Sequence, residues 1–267
     1  MTRFAPHPAW WEMIRAGARR VQIYRTSMLF WLISAMLQLF LLRMVWSTIY
    51  GDRDSVDGVA ADTLLVYLTI SALHMYVLSN GIAHEMEERI STGQVATDLV
   101  RPFGFMHQMV AQQVGFSYGM APVLLVAVPA GMLVGSLRPP SLPMLLVYLL
   151  SFVLAYVVNT LIWMQMGLFG FWMLNFGALL ALTSVISSFL SGALVPLWFM
   201  PDALRFVVQL LPFQATTFLP ASIFSGQVSG SGVIAPMLVQ VAWIGILLGT
   251  LALTWRRAQR KLVIQGG

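Results

Sequence analysis

The chain has 267 residues, 58% of them hydrophobic and 9% charged, with a formal net charge of +5 and no cysteine. Soluble domains carry about 25% charged residues, so this composition excludes a water-soluble globular protein. The missing cysteine excludes disulfides, thiolate metal sites and cysteine nucleophiles.

The first expected element covers residues 8–26. Trp10, Trp11, Ile14, Ala18 and Val21 recur at helical spacing on one face, and Glu12, Arg15, Arg19 and Gln22 line the other. Trp on the apolar side with Arg on the polar side describes an amphipathic helix lying in a membrane interface. Pro6 and Pro8 set its start. The pattern suits a topological anchor, and equally an elbow helix that passes a push to the next segment.

Six long apolar stretches follow, over residues 28–47, 63–81, 109–135, 143–168, 170–197 and 233–255. A helix needs about 20 residues to cross the hydrocarbon layer, so each is long enough to span. Lipid offers no hydrogen-bond partners, so the backbone must be satisfied within each segment, as in a helix. Barrel strands would alternate over segments of about 10 residues, unlike these unbroken runs. Only the first stretch holds a formal charge, Arg43, about one turn from its outer end, where it snorkels to the headgroups. The expected fold is an all-α integral membrane protein, one transmembrane domain over residues 1–267. The first run is too long for a signal h-region and has no small-residue cleavage site after it.

Basic residues orient the chain. Arg3, Arg15, Arg19, Arg20, Arg25, Arg89, Arg101, Arg256, Arg257, Arg260 and Lys261 fall on one side, against Arg53, Arg138 and Arg205 on the other. Both termini are therefore expected in the cytoplasm, as an even number of spans requires. The net positive charge reads as this cytoplasmic rim and is weak evidence for nucleic-acid binding.

The connections differ in kind. Residues 48–62 carry Asp52, Asp54, Asp57 and Asp62 and read as a solvated external loop. Residues 136–142, with Arg138, Pro139 and Pro140, are a tight external turn, and residues 168–172 a short cytoplasmic one. Residues 82–108 form a cytoplasmic connection in which acidic residues precede Arg89 and Gly93 suits a helix C-cap. A short helical element is expected there, either a solvated surface helix or a docking element. Residues 198–232 are apolar but broken by Pro201, Pro212 and Pro220, which prevents a full span. Irregular backbone at membrane depth must be buried in protein or line a cavity, so two short helices re-entering the outer leaflet fit best.

Within the spans, Gln38, His74, Asn80, Asn159, Gln165 and Asn175 read as interhelical hydrogen-bonding residues. The G-x-x-x-G pairs Gly115/Gly119, Gly131/Gly135 and Gly245/Gly249 read as close helix packing, with a subunit contact as the other use.

The run Glu88-Arg89-Ile90-x-x-Gly93, continuing to Leu99 and Pro102, resembles the coupling-helix region of type-2 ABC transporter permeases. Leu190-Ser191-Gly192-Ala193-Leu194-Val195-Pro196-Leu197, then Phe199-Met200-Pro201 and Leu211-Pro212-Phe213-Gln214, is similar to the end of the fifth span and the external re-entrant helices of that family. The order of elements extends the resemblance over the whole chain, most closely to the viologen-exporter-like and uncharacterised bacterial branch. It implies a bacterial inner-membrane permease half of an exporter moving hydrophobic or amphipathic cargo, as in multidrug efflux. It implies coupling through Glu85, Glu88, Arg89, Ile90, Gly93, Leu99, Arg101 and Pro102, and an external gate at Pro196, Phe199, Pro201, Pro212 and Phe213. It further implies two cytoplasmic ATP-binding subunits holding ATP and Mg, and a second permease, identical or related.

The residues agree on one point independently. A P-loop requires G-x-x-x-x-G-K-[ST], and the only lysine, Lys261, lies between Arg260 and Leu262. No cofactor or metal site is expected in this chain. H-E-x-x-H and G-x-S-x-G are absent and all acids sit in the connections, which speaks against an intramembrane enzyme. A non-transporting scaffold that recruits an ATPase and a secondary carrier stand as the alternatives. A carrier would ordinarily show intramembrane acids and an inverted repeat, and neither is evident.

Overall fold

A computed structural model describes residues 7–23, 25–51, 53–79, 81–134, 137–173 and 176–265. Arg3, Pro6, Asp52, Asn80, Gly135 and Asn175, read above from the sequence, lie outside the described residues. The architecture is all-α apart from one two-stranded hairpin. Its helices are α1 (His7–Ile23), α2 (Arg25–Tyr50), α3 (Ala61–Val77), α4 (Gly81–Ser91), α5 (Gln94–Val100), α6 (Phe105–Gly119), α7 (Ala121–Val134), α8 (Leu142–Leu168), α9 (Gly177–Leu190), α10 (Asp202–Gln209), α11 (Phe218–Phe224) and α12 (Ile234–Gln265).

Among the described residues, four segments are long and apolar enough to cross a membrane: Thr26–Tyr50, Ala61–Ser91, Leu142–Phe171 and Gly230–Lys261. The number reaches six if each of two bent helix pairs is one span. One such pair is α6 with α7, bent by 47°. The bend falls where Pro122 cannot supply the N–H that would continue the ladder, so the run expected as one span over 109–135 is two helices. The other pair, bent by 74°, is α10 with the segment Pro212–Phe224. It lies within residues 198–232, where two short helices are expected.

Two other boundaries depart from the sequence reading. The stretch 170–197 yields only the 14 residues of α9. Gly170 lies in a 3-10 turn that continues α8, and the chain beyond Leu190 turns through Gly192 at φ +78°. The last helix, expected to close at residue 255, continues to Gln265. The acidic loop after α2 contains a small hairpin, β1 (Ser55–Val56) against β2 (Val59–Ala60), antiparallel. Asp57 and Gly58 both have positive φ, the backbone that two-residue hairpin turns require and that Asp-Gly supplies.

Two apolar cores stack along α8. One gathers Ile82, Met86, Phe105, Leu161, Leu168 and Leu180. The other gathers Tyr50, Leu64, Tyr67, Tyr148 and Ile223. Polar side chains tie helices across both. The Asn159 amide donates to Ser79 O (3.2 Å) and Gln165 to Thr254 Oγ1 (2.8 Å). His74 Nε2 meets the Tyr148 hydroxyl at 3.0 Å. Buried Gln240 accepts from Ser151 Oγ and donates to Ser151 O and Ala215 O, each at 3.0 Å. An amide in a dry core needs such saturation.

Gly115 and Gly119 make a close helix crossing within the chain. A Cβ on Gly115 would fall 2.5 Å from Ile14 O and 3.0 Å from Gly17 Cα, and one on Gly119 would fall 3.0 Å from Ala18 O. Their partner is α1, so the first helix is keyed backbone to backbone against α6. At Gly245 and Gly249 a Cβ would meet nothing within 4 Å.

Candidate coupling element and external hairpin

Helices α4 and α5 are short, polar and joined at Gly93. Thr92 N donates to Glu88 O and Gly93 N to Ile90 O, closing α4, while Ala96 N donates to Gly93 O, opening α5. Gly93 itself sits at φ +74°, a left-handed conformation that glycine adopts without steric cost. One residue thus ends the first helix and starts the second, folding them against each other.

A buried ion network holds that fold. Arg89 reaches the Glu85 carboxylate through Nε (2.8 Å) and Nη2 (2.6 Å) on its own helix. Its Nη1 donates to Asp98 Oδ2 on α5 at 2.6 Å. Arg101 lies 3.3 Å from Asp98 Oδ1. The side chains of Arg89 and Asp98 are 6% and 0% exposed. Gln108, fully buried on α6, donates to Asp98 O and Phe103 O. Gln112, with its amide oriented to suit its neighbours, donates to Glu85 Oε1 (3.0 Å) and accepts from Arg89 Nη2 (2.6 Å). Arg20 on α1 adds an outer pair with Glu85 at 3.1 Å. Burial opposes the Arg89 charge, but the hydrogen bonds and charges of Asp98 and Glu85 outweigh it and lift its pKa above the ordinary arginine value.

The residues expected at the coupling element therefore divide. Arg89 is interior, with Glu85 and half-buried Ile90 beside it; the Ile90 side chain faces Gly170. Glu88, Gly93, Leu99, Arg101 and Pro102 are exposed. Asp98, which completes the network, was not singled out from the sequence, and Val100, read there only as a small apolar contact, is 86% exposed. The i, i+3 spacing of Asp98 and Arg101 was the available signal for the first.

The hairpin expected on the external side is built differently. The Ser191–Gly192 turn docks onto α3 and α11: Phe218 N donates to Ser191 O at 3.0 Å and the Tyr67 hydroxyl to Gly192 O at 2.8 Å. Arg205 on α10 donates to three carbonyls of the preceding turn, Leu197 O, Trp198 O and Met200 O, between 2.8 and 3.0 Å. Trp198 packs edge-on to Tyr67 at 4.9 Å, and Phe199 lies 4.8 Å from Trp46 on α2. Of the expected gate residues, Pro196 is buried, Phe199, Pro212 and Phe213 are half-buried and Pro201 is exposed. Pro196 and Pro212 each sit at the head of a 3-10 turn.

Residues 32–266 match the family described as ABC-2 family transporter protein. The chain belongs to the ABC-2 transporter family. No curated protein matches it. An ABC-2 chain of this kind is a multi-pass membrane permease of an ABC transporter, a transport subunit that works with ABC ATP-binding subunits. The α4–α5 element and the 191–233 hairpin both fall within the matched residues. In this ABC-2 permease α1 lies outside the match, although it is keyed into α6.

Proposed function

We propose that this ABC-2 permease is the membrane half of an ATP-driven exporter that moves hydrophobic or amphipathic cargo across a bacterial cytoplasmic membrane. In this reading the chain crosses six times, with spans built on α2, α3, α6–α7, α8, α9 and α12, and both termini lie in the cytoplasm. Two separate ATP-binding subunits, holding ATP and Mg, dock beneath it. A second permease, identical or related, completes the transporter. The resemblance to the viologen-exporter-like branch makes cationic or amphipathic drugs the first cargo to assay.

One observation carries the proposal: Arg89 and Asp98 fasten α4 to α5 through a buried ion pair while Glu88, Leu99 and Val100 stay exposed on the outside of the folded element. A rigid element with an apolar exposed tip is suited to receive force from a docked protein. Arg20 and the α1–α6 crossing give that force a route to the elbow helix. ATP must favour one arrangement of the permease pair over the other for the cycle to run. The hairpin over 198–226, with Pro196, Phe199, Pro201, Pro212 and Phe213, then serves as the external gate.

The test pairs the permease with its ATP-binding subunit in inverted membrane vesicles. Glu88→Ala with Val100→Asp should abolish ATP-dependent uptake of a fluorescent cationic dye and co-purification of the ATP-binding subunit, with insertion unchanged. Undiminished uptake in that variant would refute the coupling assignment.

A further inference from the structure

A cavity of about 190 Å³ lies between α3, α8, α9 and the turn before α11. That is well above the roughly 10–15 Å³ that holds one water molecule on the same measure. Seven hydroxyls line it: Ser79, Ser184, Ser187, Ser188, Ser191, Thr216 and Thr217. Among the described residues its lining contains no charged side chain. It is a partly open chamber with a polar and an apolar side in an otherwise apolar helix bundle, and no part of the coupling element or of the gate assignment uses it.

The hydroxyl protons determine what it accepts. Ser184 donates to Ala181 O, Ser188 to Ser184 O, Ser191 to Ser188 O and Thr216 to Phe213 O, at 2.7 to 3.2 Å. A hydroxyl whose proton is committed to a backbone carbonyl keeps its oxygen lone pairs for incoming donors. Ser79 Oγ accepts from Gly81 N and Gln113 Nε2, and its proton, like those of Ser187 and Thr217, is not committed to a partner among the described residues. At the wall, the Asn159 side chain is already engaged, its amide with Ser79 O and its oxygen with the Trp163 indole N–H at 3.1 Å. One Asn159 N–H remains unused, but the six hydroxyl oxygens of Ser184, Ser187, Ser188, Ser191, Thr216 and Thr217 still give the site more acceptors than donors. An ion of either sign would shed its hydration shell there without a counter-charge, which is costly. Met75 and Leu78 supply an apolar side.

We infer that this chamber is a binding site for the head group of an uncharged amphiphile bearing several O–H donors. The assignment of that amphiphile as cargo rests on the transport reading above; the site itself rests on the chamber. The drug-like cations named above would then have to bind elsewhere.

The natural chain has no cysteine, so a single introduced thiol reports on the chamber. Ser187→Cys in the full chain, reconstituted in phospholipid vesicles, is labelled with N-ethylmaleimide in the presence of 1-dodecanoylglycerol or of its di-O-methyl ether. The two probes share a tail and differ in their O–H donors. Two hydrogen bonds of ordinary net strength amount to about tenfold in affinity, so the free glycerol head should slow labelling at about tenfold lower concentration than its ether. Thr217→Val in the same background should narrow that difference. Leu182→Cys, on the exposed outer face of α9, should respond to neither probe. Equal slowing by both probes, or by neither, overturns the site. Head-group-selective protection in a protein that moves nothing with ATP supports the site and overturns the transport reading.

Discussion

The α4–α5 element and the 191–233 hairpin are both chain reversals between helices, yet they are held by opposite means. In the first, a buried guanidinium pairs with a buried and a half-buried carboxylate, with Gln112 on Glu85 and Gln108 on the Asp98 main-chain carbonyl. In the second, one cation that stays partly exposed caps carbonyls, and aromatic rings do the packing. The lesson concerns fragility. A buried ion network fails when one member is removed, because its partners are left charged and dry. A capped, ring-packed turn loses its parts one at a time.

Asp98→Ala gives the largest effect. It strands Arg89 and should lower stability by about 3–5 kcal/mol, measured as the loss of folded monodisperse protein on heating in detergent. Replacing both partners, Arg89→Met with Asp98→Leu, should recover most of that loss while leaving the exposed tip intact. A double variant as unstable as the single one would show that the charges themselves are needed. Gly192→Ala comes next. A Cβ there would fall 2.9 Å from Leu197 Cδ1 and from the Tyr67 hydroxyl at φ +78°, and overpacking with backbone strain should cost about 2–4 kcal/mol. Gly226→Ala, at φ +80° but in open space, isolates the backbone share at about 1–2 kcal/mol. Arg205→Ala should cost about 1–2 kcal/mol, since the guanidinium itself is partly exposed. Val100→Ser should change stability by less than about 0.5 kcal/mol, and on the proposed function it should still lower ATP-driven transport.

The same contrast explains what could be read in advance. Long apolar runs announce helices whatever they pack against, so α2, α3, α8 and α12 were legible from composition alone. The prolines at 201, 212 and 220 announced the broken hairpin. Helix ends were less legible because they depend on tertiary contacts. Nothing local to residues 190–197 says that Ser191 O will receive the Phe218 N–H and stop α9. Asp57-Gly58 was a local signal for the hairpin turn, masked by the acidic character of its loop. At the expected coupling element, Glu85, Arg89 and Arg101 were identified by type, but the enclosure of Arg89 was hidden, while Arg101 stays exposed. Whether a charge is solvated or enclosed depends on Gln108 and Gln112, which come from α6 and carry no signature of that role. Asp98 was hidden for the same reason.

The crossing of α1 with α6 has a practical consequence. The family match starts at residue 32, so a protein trimmed to the matched region would keep Gly115 and Gly119 but lose the backbone that lies against them. Their flat surface would become a vacant slot fitted to one helix of small and β-branched residues. A synthetic peptide of residues 7–23 should refill it, making the amino-terminal helix a detachable key whose insertion can be titrated.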